Sequence, residues 1–220
     1  MTISHAYKNI SRFRRRYGMI TAIRSMIHYF FVAIRKSKLN SKNSIIEVNG
    51  TQLEIIPGDL GTSFELLMFK THEPFSTQIV RETLEKGMTC LDIGANIGYY
   101  VTLESKVIGD QGRIIAIEPS PLNFEFLKRN VELQNRKNIE VFNFAAGDKN
   151  GQINFVMDEN ESNSGRVISD DKLSTWSGPV TKLPVKTIDS FLDEMKIDKI
   201  DFLRMDVEGY EYNIFQGMKN

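Results

Sequence analysis

The sequence predicts an α/β fold: a mostly parallel twisted sheet with helices on its faces. Three observations predict it. Cys90 to Tyr100, CLDIGANIGYY, reads as a buried strand that runs through a glycine loop into a helix. Arg113 to Glu118, RIIAIE, is a second apolar run, and it ends in an acid 24 positions after Gly94. Ile200 to Met205 is a third, closed by the acidic stretch Asp206-Val207-Glu208-Gly209-Tyr210-Glu211. Short apolar runs alternating with helical stretches are the pattern of a parallel sheet covered on both faces.

With 220 residues, 41% of them hydrophobic, the chain can form one full domain and an appendage. Lysine plus arginine and aspartate plus glutamate both total 28, for a net charge of zero, but the distribution is uneven. No acid precedes Glu47, while residues 1–43 carry Lys8, Arg12, Arg14, Arg15, Arg16 and Arg24 among others. The remainder is acidic on balance, which disfavours nucleic acid as its partner and leaves that option only to the arm. The single Cys90 excludes an intramolecular disulfide and reads as a small core residue.

In chain order, residues 1–43 form a basic arm whose Ile20, Ile23, Ile27, Phe30, Phe31 and Ile34 fall at helical spacing. The apolar run Met19 to Ile34 is too short and too charged to span a bilayer, and no small-residue cleavage site follows it. The expectation is a cytoplasmic chain. The arm then either packs on the domain or another subunit, or lies on an anionic membrane surface. Residues 44–87 supply a hairpin, with Asn49-Gly50 as its turn, and helices over Thr62 to Phe69 and Pro74 to Leu84. His72-Glu73-Pro74, between those helices, either reaches a pocket mouth or forms a surface turn.

The domain proper, 88–220, begins with the glycine loop. A dinucleotide site takes a second glycine where this loop has Asn96, and the Asn96 side chain would crowd a pyrophosphate. Asp92 adds a carboxylate nearby, so a cationic ligand matches better. In S-adenosylmethionine the ammonium can meet Asp92, and the carboxylate can meet the loop amides and the helix N-terminus. Gly94 and Gly98 shape the loop, with Tyr99 counted beside it. Glu118, at the tip of the neighbouring strand, can accept both ribose hydroxyls. Ser120-Pro121 starts a helix with core positions Phe124, Leu127 and Val131. Ile139 to Phe144 is a third strand. Ala145-Ala146-Gly147-Asp148 is small enough for an adenine to lie flat, and Asp148 is either an acceptor for its amino group or part of a tight turn.

Gln152 to Met157 reads as a strand, and Asp158 to Gly178 as a polar loop in which Arg166 and Trp176 are candidates for acceptor contacts. Leu183 to Lys186 is a further strand, and Thr187 caps a helix from Ile188 to Met195. The closing acids lie where open α/β sheets bind ligands. Asp206 is the first choice of base for a hydroxyl acceptor. Glu208 and Glu211 can bind the acceptor or join Asp206 around a divalent cation, and Glu211 can instead serve the next helix N-terminus.

LDIGANIGYY, IIAIEPSPLNFEFLKRNVELQN, Gly147-Asp148 after the alanine pair, VKTIDSF and FLRMDVEGYE together resemble the FkbM family of S-adenosylmethionine-dependent methyltransferases, from about Phe64 to the C-terminus. The resemblance implies a Rossmann-like class I methyltransferase fold and O-methylation of a sugar, glycan or natural-product hydroxyl. It implies cofactor contacts from Asp92, Gly94, Asn96, Gly98 and Glu118, and makes Asp206, Glu208 and Glu211 the family's acidic motif. Arg204 stands where the family often has lysine. The family pattern continues past this motif with further strands, so the domain reads as C-terminally incomplete. The rival from another class is a non-catalytic cofactor-binding module that recruits a partner or membrane through the arm. An RNA methyltransferase is a third reading, and the missing second glycine removes an oxidoreductase.

Overall fold

The computed structural model describes residues 44–157, 162, 165–168, 173, 174, 176 and 178–219. The chain divides at Ser44 into two units, and the second runs from Ile45 to Asn220. The helix and membrane contact expected of the arm lie outside the described residues.

Strands β1 (Ile45–Val48) and β2 (Thr51–Glu54) pair antiparallel. Asn49 and Gly50 adopt φ of 55° and 72°, the paired positive values that an Asn-Gly turn supplies at low cost. Helices α1 (Thr62–Phe69) and α2 (Pro74–Thr83) follow. Then β3 (Thr89–Ile93), α3 (Tyr99–Ile108), β4 (Arg113–Ile117), α4 (Pro121–Gln134) and β5 (Ile139–Phe142) alternate as expected. Next come β6 (Ala145–Ala146), β7 (Gly151–Val156), β8 (Arg166–Ile168), β9 (Thr181–Lys186), α5 (Ile188–Met195), β10 (Phe202–Met205) and α6 (Glu211–Gln216). The stretch expected as one long loop from Asp158 therefore contains a strand, β8. Its pairing with β7, Phe155 opposite Val167, explains why so short a run is ordered.

The central sheet has the order β10-β3-β4-β5, all parallel. A second sheet, β6-β9-β7-β8, is mostly antiparallel. Leu91, Ile93, Ile115 and Ile117 point to one face of the central sheet and pack with Phe144, Ile188, Phe191 and Ile214. Each such side chain contributes about 1.5–3 kcal/mol by burial. Side chains alternate faces along a strand, so Cys90 and Asp92 turn the other way. Arg204 lies opposite Asp92 in the β10–β3 register, which brings their side chains together.

Helix α4 departs from expectation on its buried face. Ser120 caps it, accepting from the Asn123 amide, and Pro121 opens it as predicted. The buried positions, however, are Asn123, Phe126, Leu127 and Asn130, with Phe124 and Val131 only half-buried. The reason is hydrogen bonding rather than apolar contact. Asn130 accepts from the Glu54 amide and donates to the Glu54 and Ile97 carbonyls at 2.9 and 2.7 Å, tying the hairpin to the glycine loop. Among the described residues no helix is long and apolar enough to cross a membrane.

Candidate active site

A half-open cavity lies at the carboxyl ends of β3, β4 and β10. Gly94, Asn96, Tyr99, Glu118 and Ala145 all line it, with Asp206 and Glu208 across from them.

The loop after β3 is built from left-handed residues, Gly94 at φ 83°, Asn96 at 52° and Gly98 at 90°. Asparagine tolerates this region better than other side chains, because its short amide bonds locally. Here Asn96 Oδ1 accepts the Ile97 amide at 2.7 Å and Nδ2 donates to the Ser162 carbonyl. The loop amides are already committed. Gly94 and Ala95 donate to the Ile117 carbonyl, Asn96 to Glu118, Ile97 to Asn96 Oδ1, and Gly98 to the Ala95 carbonyl. The loop amides from Gly94 to Gly98 are thus bonded within the protein, and Arg166 and Arg204 are the arginines of the cavity lining. Gly98 does not line the cavity; a Cβ there would press on Leu127, so its glycine serves packing against α4.

Glu118 follows β4 and is 4% exposed. Its two oxygens accept the Asn96 and Ser120 amides, each at 2.8 Å. Burial nevertheless outweighs these bonds and pushes its pKa up to about 7. Each carboxylate oxygen keeps a second lone pair for a hydroxyl donor. A ligand that donates hydroxyls there favours the ionised form. Affinity for such a ligand should therefore rise as pH increases through about 7. The folding contribution of Glu118 runs the other way, full below its ordinary value and lost as pH rises through the folded one. Titration with S-adenosylhomocysteine at several pH values checks this, and Glu118→Gln should flatten the profile and weaken binding.

Asp92 is fully buried and lies behind the cavity wall rather than in its lining. Direct contact with a ligand ammonium, expected from the sequence, is therefore not the role its position offers. Its Oδ1 is held by Arg204 at 3.0 Å, while Oδ2 has no hydrogen-bond partner among the described residues. Burial raises its pKa and the guanidinium opposes that shift. Arg204 also reaches Asp206 Oδ2 at 2.9 Å and stacks 3.8 Å from the Tyr100 ring. Burial works against the Arg204 charge, but Asp92 and Asp206 outweigh it and hold the pKa above its ordinary value. Glu104, also fully buried, has no partner for either oxygen among the described residues, and burial pushes its pKa well up.

The acidic segment separates on inspection. Asp206 and Glu208 line the cavity. Glu211 does not: it lies in the first turn of α6 and accepts the Val207 and Gly209 amides, which lower its pKa. Among the described residues no three metal-ligating side chains converge. Burial, with Asp206, Glu211 and Glu73 nearby, raises the Glu208 pKa. Ala145 and Ala146 line the cavity, whereas Asp148 is exposed and outside the lining, in accord with its tight-turn reading. Arg166 lines it and stacks 5.3 Å over Trp176, which itself is not in the wall.

Sequence reasoning missed the polar tie above the loop. Asp59 accepts the Gly61, Ser63 and Ser162 amides and the Ser162 hydroxyl, and the Ser162 carbonyl takes the side chains of Asn96 and Asn123. Asp59-x-Gly61 does carry an Asx-turn signal. His72 and Glu73 both reach the cavity, so the pocket-mouth reading of that segment is the observed one.

The model of the methyltransferase FkbM domain matches residues 92–220. Methyltransferase 1 of Beauveria bassiana (strain ARSEF 2860) is 27% identical over 143 residues, covering 58% of this chain and 57% of that protein. A protein-L-isoaspartate O-methyltransferase of Thermotoga maritima is 42% identical over 65 residues, 30% of this chain and 20% of that protein. Among solved structures, a SAM-dependent methyltransferase from Aquifex aeolicus is similar with a TM-score of 0.32 and 29% identity, over 39% of this chain and 43% of that one. The chain thus spans little more than half of the first relative and a fifth of the second.

Proposed function

The chain belongs to the FkbM methyltransferase family, and from that premise we propose that it is an S-adenosylmethionine-dependent O-methyltransferase acting on a hydroxyl of a sugar, glycan or natural product. The observation that carries the reading is the cavity itself. A loop closed to pyrophosphate and a buried hydroxyl acceptor, Glu118, share it with two acids, Asp206 and Glu208.

Bound S-adenosylmethionine supplies a methyl group activated by its sulfonium. Gly94, Ala95 and Asn96 form the floor beneath such a ligand, Glu118 accepts its ribose hydroxyls, and Ala145 and Ala146 leave room for a flat base. Glu208 and Asp206 accept hydrogen bonds from the acceptor's hydroxyls and hold it for in-line approach. The Asp206 carboxylate is paired with Arg204 at 2.9 Å, which fixes its direction. A hydroxyl acceptor is favoured over a carboxyl acceptor by charge. Glu73, Asp206 and Glu208 would repel a second carboxylate, and Asp92 and Asp206 already neutralise Arg204.

Calorimetric titration with S-adenosylhomocysteine beside a NAD control tests the cofactor reading, with a dissociation constant on the order of a micromolar expected for the former alone. Transfer of labelled methyl to a panel of free sugars and methyl glycosides then tests the acceptor class. Binding of neither ligand would favour the non-catalytic alternative.

A further inference from the structure

We propose that His72, oriented by Glu65, is the general base that removes the acceptor's hydroxyl proton. The inference rests on reading the cavity as a hydroxyl-methylating site. His72 lies in the turn between α1 and α2, lines the cavity, and has a side chain only 15% exposed. Its Nδ1 meets Glu65 Oε2 at 2.6 Å. A carboxylate accepts only, so Nδ1 carries the proton, and in the neutral ring Nε2 then keeps the lone pair. A base fixed by a carboxylate behind it is the arrangement that sets a histidine's tautomer and direction.

The surroundings hold the ring in place. Tyr99 and Tyr100 of α3 meet it edge-on, with centroids 5.8 and 6.2 Å away. The Thr77 hydroxyl donates to the His72 carbonyl at 2.6 Å, and the Tyr99 hydroxyl lies 3.0 Å from Thr77 and 3.2 Å from Thr71. Glu73, next in the chain, is held in the left-handed region at φ 42° and accepts the Tyr100 hydroxyl at 3.1 Å. A non-glycine residue there signals a backbone position fixed by its surroundings. The charged and titratable groups around the ring are therefore Glu65 of α1, Glu73, Tyr99 and Tyr100 of α3, and Arg204 of β10 beyond Tyr100.

The competing groups are less well arranged. Asp206 is paired with Arg204 at 2.9 Å, and Glu208 has no orienting partner like Glu65 among the described residues. In the transfer the acceptor oxygen forms a bond to the methyl carbon while the carbon–sulfur bond breaks. Its electron pair stays on the sulfur of S-adenosylhomocysteine, and the hydroxyl proton passes to Nε2, giving an imidazolium beside Glu65. Solvent then takes that proton.

Two measurements on the full chain test this. Nitrogen-15 NMR of the histidine side chains, with S-adenosylhomocysteine bound and the signal assigned through His72→Gln, should show protonated Nδ1 and bare Nε2 at pH 8. The opposite tautomer would overturn the assignment without reference to turnover. Methyl transfer to whichever sugar or methyl glycoside the wild type accepts should fall about 100-fold or more in kcat in His72→Gln, the usual scale of a general base. The acidic limb of the kcat profile should vanish with it, while affinity for S-adenosylhomocysteine stays within about twofold of wild type. Retention of kcat and its pH profile in His72→Gln, with loss in Glu208→Gln instead, would assign the base to Glu208 and sink the proposal. A wild-type chain that binds S-adenosylhomocysteine but methylates none of the panel would overturn the hydroxyl reading and this inference together.

Discussion

Arg204→Met is expected to lose about 3–5 kcal/mol of stability, the scale of removing one partner from a buried ion pair. The loss has a defined origin. Asp92 is fully buried, its Oδ2 has no partner among the described residues, and Arg204 is the one cation bonded to Oδ1 there. Without the guanidinium, Asp92 must be protonated in the folded chain, so its folded pKa rises further above that of the unfolded chain. The deficit should therefore be smallest at low pH and grow as pH rises. Denaturant unfolding at pH 5 and pH 8 measures both. Adding Asp92→Asn should restore much of the stability, because the orphaned charge is gone. Arg204→Lys should lie between, since a point charge cannot serve Asp92 and Asp206 in the two-pronged way a guanidinium does. Equal stability of Arg204→Met and wild type at pH 8 would mean that the pair contributes nothing.

Gly94→Ala should abolish measurable binding of S-adenosylhomocysteine. A Cβ at this position would lie inside contact distance of the Asp206 carbonyl oxygen, a backbone atom that cannot swing aside. The residue also sits at φ 83°, where a side chain costs about 1–2 kcal/mol on its own. The greater effect is displacement. Moving the end of β10 away from Gly94 shifts Asp206 and the turn carrying Glu208. Binding and the geometry of the acidic wall should fail together. A control, Gly58→Ala, carries the same backbone strain at φ 79° but meets no atom within 4 Å, and it should leave the affinity unchanged. Wild-type affinity in Gly94→Ala would show that the loop and the β10 tip are not in register.

The parts of this molecule legible in its sequence are those with local signals. Asn49-Gly50 specifies its turn, Ser120 and Thr187 cap their helices, and β3, β4 and β10 announce themselves as short apolar runs. The cavity-lining residues readable this way were Gly94, Asn96, Glu118, Asp206 and Glu208, all at or just past strand ends. The ion pair of Asp92 was not legible, because a carboxylate at a strand end says nothing of which cation the neighbouring strand will place opposite it. That depends on register, and Arg204 is 112 residues away. Glu211 carried two readings in the sequence, and the start of α6 fixes it to backbone amides. Asn130 and Asp59 carry many of the ties around the glycine loop, yet a buried polar side chain breaks the apolar periodicity used to find cores. His72 could be placed near a pocket, but its partner Glu65 lies seven positions back across the end of a helix, a spacing no local motif encodes.

The contact between Asp59 and Ser162 joins residues 103 positions apart. Closing a loop of that length costs entropy that nearby contacts do not repay until the sheet exists, so this tie belongs to the last stage of folding. The same ordering applies in reverse under native conditions. Separating Ser162 from Asp59 breaks two hydrogen bonds but no strand of the central sheet, so it is a smaller opening than global unfolding. A ligand that spans Asn96 and Glu118 would stabilise the closed arrangement by mass action, and the Ser162 amide would then exchange more slowly when the cavity is filled.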